Sequence, residues 1–575
     1  MSPPESKAQS DVPGPPNTSQ QDPIMIPWLK RNEWKLIFAI AALSFVLGAL
    51  GIHQQQLAVG KPLTWGDAVY FSLRLFTFSY DQQGEGTPYA TVSPLLEVAR
   101  FLAPAAVFSA ALKGFVFGVS RQLNVWRLRR WRGHALVCGA GKRGRFVALN
   151  LRLEGHQVVV LEKDLANEAI GELRAAGVRV IVGSATDPVC QEQARMGTAA
   201  LVVAVTTSEE TNLEVALAAS CRDNGLPVEI RAHASRRFAE EFEGQPPFDR
   251  IRQGVHARFF DHEAASARIL LQEFATELVA VLAPTARSPR LLLAGDGTLL
   301  PELLSVASVQ CQYAFAGVPT LVVATTEGDM VRHRFPSQHP QLGQVAEVNL
   351  VEITRPTLMR LELDTLAVGA DFDLTFVACH HDVDTLCLAR HLAQQQTGRA
   401  GSLVACLRPS SNVMRLLAAK QPITGVEMRD LVELGCRADV LLHNKLDSKA
   451  KTIHEDYVAK AVADGASEAT NPVLVRWEDL PESLRQANRA QADHQPIKLR
   501  TLTVSQTPET VEALAEAEHR RWMAERMLAG WRYGEQRDNT RKRHPSLKPY
   551  VELSEAEKQK DRDTIEAVLR TMLLP

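Results

Sequence analysis

The sequence has few cysteines and no pair of them at metal-binding spacing. Its eight, at 138, 190, 221, 311, 379, 387, 406 and 436, are scattered through apolar stretches. That excludes a zinc ribbon or a disulfide scaffold and predicts reduced, mostly buried thiols in a cytosolic region. An excess of either charge is also missing: 64 Lys and Arg face 66 Asp and Glu, a formal net charge of −2. The totals exclude an overall basic nucleic-acid binder, and 45% hydrophobic residues exclude a globally disordered chain. Residues 1–22 lack a basic region running into an apolar core and cleavage site, so no signal peptide is expected. Rich in Pro, Ser and Gln, this stretch opens an expected disordered cytoplasmic tail, 1–32. Long apolar runs are scarce too, and both lie before residue 120.

What is present starts with those runs. "LIFAIAALSFVLGALGI", 36–52, is uncharged and apolar on every face, and Trp34 stands at its edge, as expected of a membrane span. The second run, about 95–119, carries Glu97, Arg100 and Lys113, which are expected to face a bundle interior or an aqueous path, or to snorkel to the interface. Lys30, Arg31 and Lys35 precede the first run; Arg121, Arg127, Arg129, Arg130 and Arg132 follow the second. Both ends are therefore expected in the cytoplasm of a two-span inner-membrane protein.

Between the runs, "TWGDAVYFSLRLFTFSYDQ" resembles the pore helix and filter of the two-span potassium-channel superfamily, with Asp67, Tyr70, Phe71 and Ser72 in matching places. The resemblance implies a re-entrant pore-like helix and pore residues Thr77, Phe78, Ser79, Tyr80 and Asp81. Where that family has Thr-Val-Gly-Tyr-Gly, Ser79 and Asp81 replace the glycines whose backbone freedom lets carbonyls face an ion. Potassium selectivity does not follow, and a segment that only packs between spans stays open as an alternative.

After the basic linker, "ALVCGAGKRGRFVALNLRLEGHQVVVLEKD" reads as strand, Gly139-x-Gly141-x-x-Gly144, helix, and a strand ending in Glu162. Gly139 serves the tight turn, Gly141 the approach of a pyrophosphate, and Gly144 the packing of helix on strand. Glu162 is placed for a ribose hydroxyl, which favours NAD or another adenine nucleotide over NADP. "VRVIVGSATDP", "ALVVAVTTSEETNLEVALAA" and "PVEIRAHA" continue the pattern. Together they resemble the TrkA-N, or RCK, domain that regulates potassium channels and transporters. The resemblance implies a nucleotide bound as regulator by Gly139, Ala140, Gly141, Lys142, Arg143, Gly144, Glu162, Lys163, Ala185, Thr186, Val205 and Thr206. Gly183-Ser184-Ala185-Thr186 lacks the aspartate the family usually has there.

From Arg290 the order of strand, turn, helix and strand returns, with Gly295 and Gly297 kept and Leu300 at the third glycine's place. This predicts a degenerate second RCK-like α/β domain without a nucleotide. His380, His381, Asp382 and Asp384 follow a strand into a helix, where capping and solvation are expected rather than a metal.

The last region is helical, charged and rich in clustered aromatics. Glu518, His519, Trp522, Gly530, Trp531, Tyr533, Gly534, Asp538, His544, Pro545, Leu547, Tyr550 and Leu553 resemble the RyR domain of ryanodine receptors and some bacterial proteins. An internal repeat sets His454, Tyr457, Trp477, Leu480 and Arg485 against His519, Trp522, Tyr550, Leu553 and Lys558. Arg521, Trp522, Trp531, Tyr533, Asp538, His544 and Tyr550 are the ligand candidates, by stacking and phosphate contacts; core packing is the alternative for the aromatics.

The expected organisation is multidomain: 1–32 tail, 33–130 transmembrane pore-like hairpin, 131–285 TrkA-N/RCK domain, 286–443 degenerate second RCK-like domain, 444–575 mainly α-helical RyR domain. The expected function is a ligand-gated, nucleotide-regulated ion channel or channel-like protein, a homo-oligomer (dimer or tetramer) whose partners are the lipid membrane, an inorganic cation and a small-molecule effector. The alternative is a membrane-tethered nucleotide sensor that oligomerises without conducting. An oxidoreductase is disfavoured, because no segment supplies a substrate domain with a paired acid and base.

Overall fold

The computed structural model describes residues 25–58, 60, 63–77, 93–128, 131–221, 226–235, 238, 248–250, 254–282, 287–329, 333, 335–366, 371–396, 401–408, 423–467, 471 and 473–573. The chain forms two compact units, Met1–Arg127 and Leu128–Pro575.

The first unit holds α1 (Met25–Ala58), α2 (Trp65–Arg74) and most of α3 (Pro94–Leu128). Trp34–Ala58 and Pro94–Phe115 are long and apolar enough to cross a membrane, with mean hydropathies of 2.3 and 1.6. Helix α1 already starts at Met25, so the expected tail ends sooner than residue 32. Pro27 falls in the first turn, where a missing N–H breaks no helical bond. Helix α2 is capped by Thr64, whose hydroxyl donates to Asp67 Oδ2 at 2.6 Å and accepts from the Asp67 N–H. It packs on α1, where the Ser72 hydroxyl donates to the Phe45 carbonyl at 2.7 Å. Glycines make this approach possible: a Cβ on Gly48 would lie 2.5 Å from Ser72 Oγ, and one on Gly51 would lie 2.6 Å from the Leu96 nitrogen of α3. Three charges of α3 have partners in the first unit. Arg100 pairs with Glu97 at 2.5 Å, and the Lys113 ammonium sits 5.3 Å from the Trp34 ring centre. Of the expected pore residues only Thr77 is described, closing a short 3₁₀ turn after α2; Phe78, Ser79, Tyr80 and Asp81 lie outside the described residues.

In the second unit come β1 (Ala135–Cys138), α4 (Lys142–Leu153), β2 (Val158–Glu162), α5 (Ala169–Ala175), β3 (Arg179–Val182), α6 (Pro188–Gln193), β4 (Leu201–Ala204), α7 (Glu209–Ser220), β5 (Val228–His233), β6 (Asp249–Arg250), β7 (Val255–Phe260) and α8 (His262–Leu282). The strands are ordered β3-β2-β1-β4-β5-β7-β6, all parallel except β6. Both faces are covered, so β1 is apolar at every position: Ala135 and Val137 pack with α4, Leu136 and Cys138 with α7.

A second sheet repeats the plan. Its elements are β8 (Arg290–Gly295), α9 (Leu299–Gln310), β9 (Thr320–Thr325), β10 (Glu347–Glu352), β11 (Leu374–Ala378), α10 (Asp382–Gln395), β12 (Ser402–Leu407) and β13 (Glu427–Asp430), all parallel in the order β10-β9-β8-β11-β12-β13. The two sheets exchange helices. Helix α8 follows the first sheet, yet its Leu270, Phe274 and Leu278 belong to the core of the second. Conversely, α11 (Leu431–Cys436) and α12 (Ala438–Leu441) follow the second sheet, yet Val432, Cys436 and Leu441 complete the core under α4.

The C-terminal region is helical: α13 (Ser448–Ala463), α14 (Glu482–Val504), α15 (Pro508–Leu528) and α16 (Glu555–Leu573), with a two-residue ribbon of β14 (Arg532–Tyr533) and β15 (Arg543–His544). Ile497, Met523 and Met527 join the second sheet's core, so this region is packed on the α/β part.

Candidate functional site

Strand β1 has β2 on one side and β4 on the other, and the crevice at their C-terminal ends is where doubly wound sheets take ligands. The glycine loop lies there. Gly139 has φ +97° and comes so close to β4 that a Cβ would sit 3.2 Å from Thr206 Cα. A Cβ on Gly144 would sit 1.8 Å from the Gly139 carbonyl oxygen. Gly141 caps α4 with open space in front of it, leaving room for a phosphate at the helix N-terminus. The Glu162 carboxylate reaches back over the loop, accepting from the Ala140 N–H at 2.6 Å and the Asp164 N–H at 2.8 Å. Each oxygen keeps a lone pair for a ribose hydroxyl.

The other expected nucleotide residues fall around this crevice. Lys163 is exposed after β2, Thr186 bonds Ser184 Oγ at 2.9 Å after β3, and Ala185 and Val205 are buried in the walls. The Thr206 N–H and hydroxyl both donate to Asn212 Oδ1 at 2.8 Å, and Asn212 Nδ2 donates to the His233 carbonyl. The buried Asn212 thus ties β4 to β5. Asn167, which sequence reasoning missed, donates to the Ala140 carbonyl at 3.3 Å.

Arg143 turns from the loop mouth toward β4 and β5. It donates to the Thr206 carbonyl at 3.0 Å and lies 2.6 Å from His233 Nε2, which is 3.0 Å from His262 Nδ1. Burial, together with the Arg143 charge, pushes both imidazoles down to about 3, so they are neutral. Burial raises Asp261 to about 6. His233, Asp261 and His262 present ligand atoms within 4.8 Å of one another. The guanidinium holds the His233 lone pair a cation would need, and Asp261 Oδ1 accepts the Glu263 N–H at 2.8 Å. Arg143, His233 and His262 form a hydrogen-bonded chain, and Asp261, 3.9 Å from His262 Nδ1, caps α8 instead.

The second sheet's loop is closed. Cβ atoms on Gly295 and Gly297 would meet the Ala378 carbonyl oxygen at 1.9 and 2.9 Å, the buried Asp296 accepts from the His380 N–H, and Leu300 is in the core. Nor does the segment after β11 cap as expected. His381 makes no side-chain cap bond, Asp384 pairs with Arg355, and Asp382 accepts from the Arg408 N–H.

In the C-terminal region two halves share one geometry. His454 bonds the Val475 carbonyl and lies 6.1 Å from Trp477; His519 bonds the Lys548 carbonyl and lies 5.9 Å from Tyr550. Arg485 pairs with Glu482, and Lys558 with Glu555, at the same offset. Of the ligand candidates, Arg521 is buried and spent on Glu518 at 2.9 Å, and Tyr550 is buried and donates to Glu512. Trp522 and Trp531 pack partly against the core, flanking His544 at 5.0 and 6.3 Å. Tyr533 is exposed, and Asp538 bridges to Arg543 in the turn. His544 is pushed down to about 4 by burial and nearby Arg537 and Arg526.

A cavity of about 210 Å³ lies where the two sheets and the helical region meet, between Phe259, Arg268, Val306, Leu441, Asp447 and Arg489. Two charge pairs stand in its wall: Arg268 is bidentate on Asp493 at 2.7 and 3.0 Å, and Arg489 on Asp447 at 2.8 and 2.7 Å.

Residues 135–244 match the TrkA-N domain family, and residues 493–574 match the RyR domain family. The chain carries a TrkA-N domain and a RyR domain. Among solved structures it is similar to the GsuK channel (16% identity, TM-score 0.39, covering 72% of this chain and 99% of that one). It is also similar to the GsuK channel bound to NAD (13%, 0.38, 74% and 86%). The TrkA-N domain of the inner membrane protein ybaL from Escherichia coli is a shorter match (21%, 0.21, 25% and 98%). In this chain the TrkA-N segment holds the open glycine loop, whereas the RyR segment begins within α14 and includes the β14–β15 turn.

Proposed function

We propose that this chain is a nucleotide-regulated, channel-like membrane protein, in which an adenine nucleotide, NAD among them, binds the TrkA-N domain as regulator rather than as redox substrate. The observation that carries the reading is the glycine loop: Gly141 is open at the N-terminus of α4 while Gly139 and Gly144 admit no side chain. The helices of the first unit add a channel-like pattern, two apolar helices with a capped short helix between them. Both termini are cytoplasmic in this reading, the protein works as a homo-oligomer in the inner membrane, and a cation is the conducted ion. The boundaries at 130, 285 and 443 are part of the proposal, as is an effector bound by the RyR domain on the Tyr533–His544 turn. A ligand shifts a pore only by binding its two states differently, so currents must depend on nucleotide. Purified protein in planar bilayers is expected to conduct in a nucleotide-dependent way, and Gly141→Asp to abolish that dependence. Silence with every adenine nucleotide tried would overturn the channel reading.

Ser79 and Asp81 favour a second reading, a membrane-tethered nucleotide sensor. In that case Gly141→Asp abolishes a cellular readout that substitution of Ser79 leaves intact.

A further inference from the structure

Helix α4 starts with Lys142, whose ammonium is already engaged by a residue far along the chain. It donates to the Arg408 carbonyl at 2.8 Å, across 266 residues. Arg408 follows β12 of the second sheet and is fixed from several directions. Its N–H donates to Asp382 Oδ1 at 2.7 Å, and its guanidinium to Glu263 Oε1 at 2.9 and 2.6 Å, the Cys379 carbonyl at 3.2 Å and Thr298 Oγ1 at 3.3 Å. Thr298 precedes α9, the second sheet's counterpart of α4. The crevice that stays open in the first sheet is therefore filled in the second by the Arg408 guanidinium and the Glu263 carboxylate.

This plug has an effect next door. It holds the Arg408 carbonyl still, and the carbonyl holds Lys142. An ammonium has three N–H donors, of which the carbonyl takes one. Helical side chains lean toward the N-terminus, so the remaining donors stay beside Gly141, where an anion gathers.

We propose that Arg408 is a positioning residue of the nucleotide site: the second sheet holds the Lys142 ammonium ready for the phosphates of an adenine nucleotide bound to the first. The proposal rests on the nucleotide reading above. Arg408 touches no part of the ligand, and its influence is confined to the phosphate end. Ordering a lysine in advance strengthens binding by roughly two- to tenfold.

The test is calorimetry on the detergent-purified full chain with ADP and with adenosine. Arg408→Ala is expected to weaken ADP two- to tenfold and leave adenosine unchanged. In a Lys142→Met background the same substitution has no further effect on ADP, because the ammonium it positions is gone. Arg408→Ala strands the Glu263 carboxylate, so the pair Glu263→Ala/Arg408→Ala, which removes both charges, is measured alongside and gives the same split. Equal losses for ADP and adenosine, or additive effects of Lys142→Met and Arg408→Ala, overturn the proposal. Failure of the wild-type chain to bind either ligand is a separate result: it removes the nucleotide reading, and the proposal with it.

Discussion

Gly141 and Gly144 stand three positions apart in one motif and face different surroundings. A Cβ at Gly144 collides with backbone, which cannot move cheaply, whereas one at Gly141 meets nothing. Gly144→Ala is therefore expected to cost about 1–3 kcal/mol of stability along with nucleotide binding. Gly141→Ala leaves the melting temperature unchanged and weakens nucleotide binding alone; thermal denaturation and calorimetry on both variants separate the two effects. The pair His233 and His262 sets a pH dependence. Their folded values near 3 lie below the usual 6.5 of the unfolded chain, so their contribution is complete above 6.5 and is lost as pH falls toward 3. Asp261, raised to about 6, works the opposite way between about 6 and 4 and offsets part of one histidine. Stability is expected to fall steeply with acid, and His233→Gln to flatten the profile in denaturant titrations at a series of pH values. The placement of the glycine loop after β1 and of Glu162 at the end of β2 was legible, because strand, loop, helix and strand follow one another closely in sequence. The direction of Arg143, and the existence of Arg408 as a contact of Lys142, were not, because they depend on residues 90 and 266 positions away.

The inner strands β1, β2, β4, β8, β9, β11 and β12 were legible as apolar runs, since a parallel strand covered on both faces has no alternation to hide, whereas β6, β7 and β13, which carry charged residues, were not expected. The exchange of α8 for α11 and α12 was not. A short helix such as Leu431–Cys436 carries an apolar face in sequence without saying which sheet it covers. Val432 is buried beside Val147 and Leu151 of α4, so Val432→Asp is expected to destabilise the TrkA-N domain, on the far side of the molecule's sequence, and to lower its nucleotide affinity. Hydrogen exchange would show faster exchange in α4 and β2, and unchanged exchange there would refute the exchange of helices as a stabilising contact. The internal repeat of the C-terminal helical region was legible down to its histidines. What the aromatic pattern did not convey is that Arg521 and Tyr550 are themselves buried, Arg521 paired with the buried Glu518 and Tyr550 donating to the half-exposed Glu512, which removes them from any ligand surface.

Within Leu128–Pro575 buried ion pairs join the parts, alongside the shared core. Arg268 of α8 grips Asp493 of α14 with both side chains largely buried. Arg268→Ala leaves the carboxylate unpaired and is expected to cost about 3–5 kcal/mol, while Arg268→Met with Asp493→Leu recovers much of it. Urea denaturation should then show the TrkA-N and RyR parts losing structure in one transition in the wild type. Two separated transitions in the wild type would contradict the joint packing.

The exchanged helices also set a timetable. The first sheet's last long strand ends at Phe260, but its core is completed by Leu441. At a synthesis rate of roughly 5–20 residues per second, the ribosome needs about 10–40 s to supply the missing helix. During that interval the core beneath α4 lacks Val432, Cys436 and Leu441, so the nascent first sheet keeps an apolar face open until the second sheet has been made.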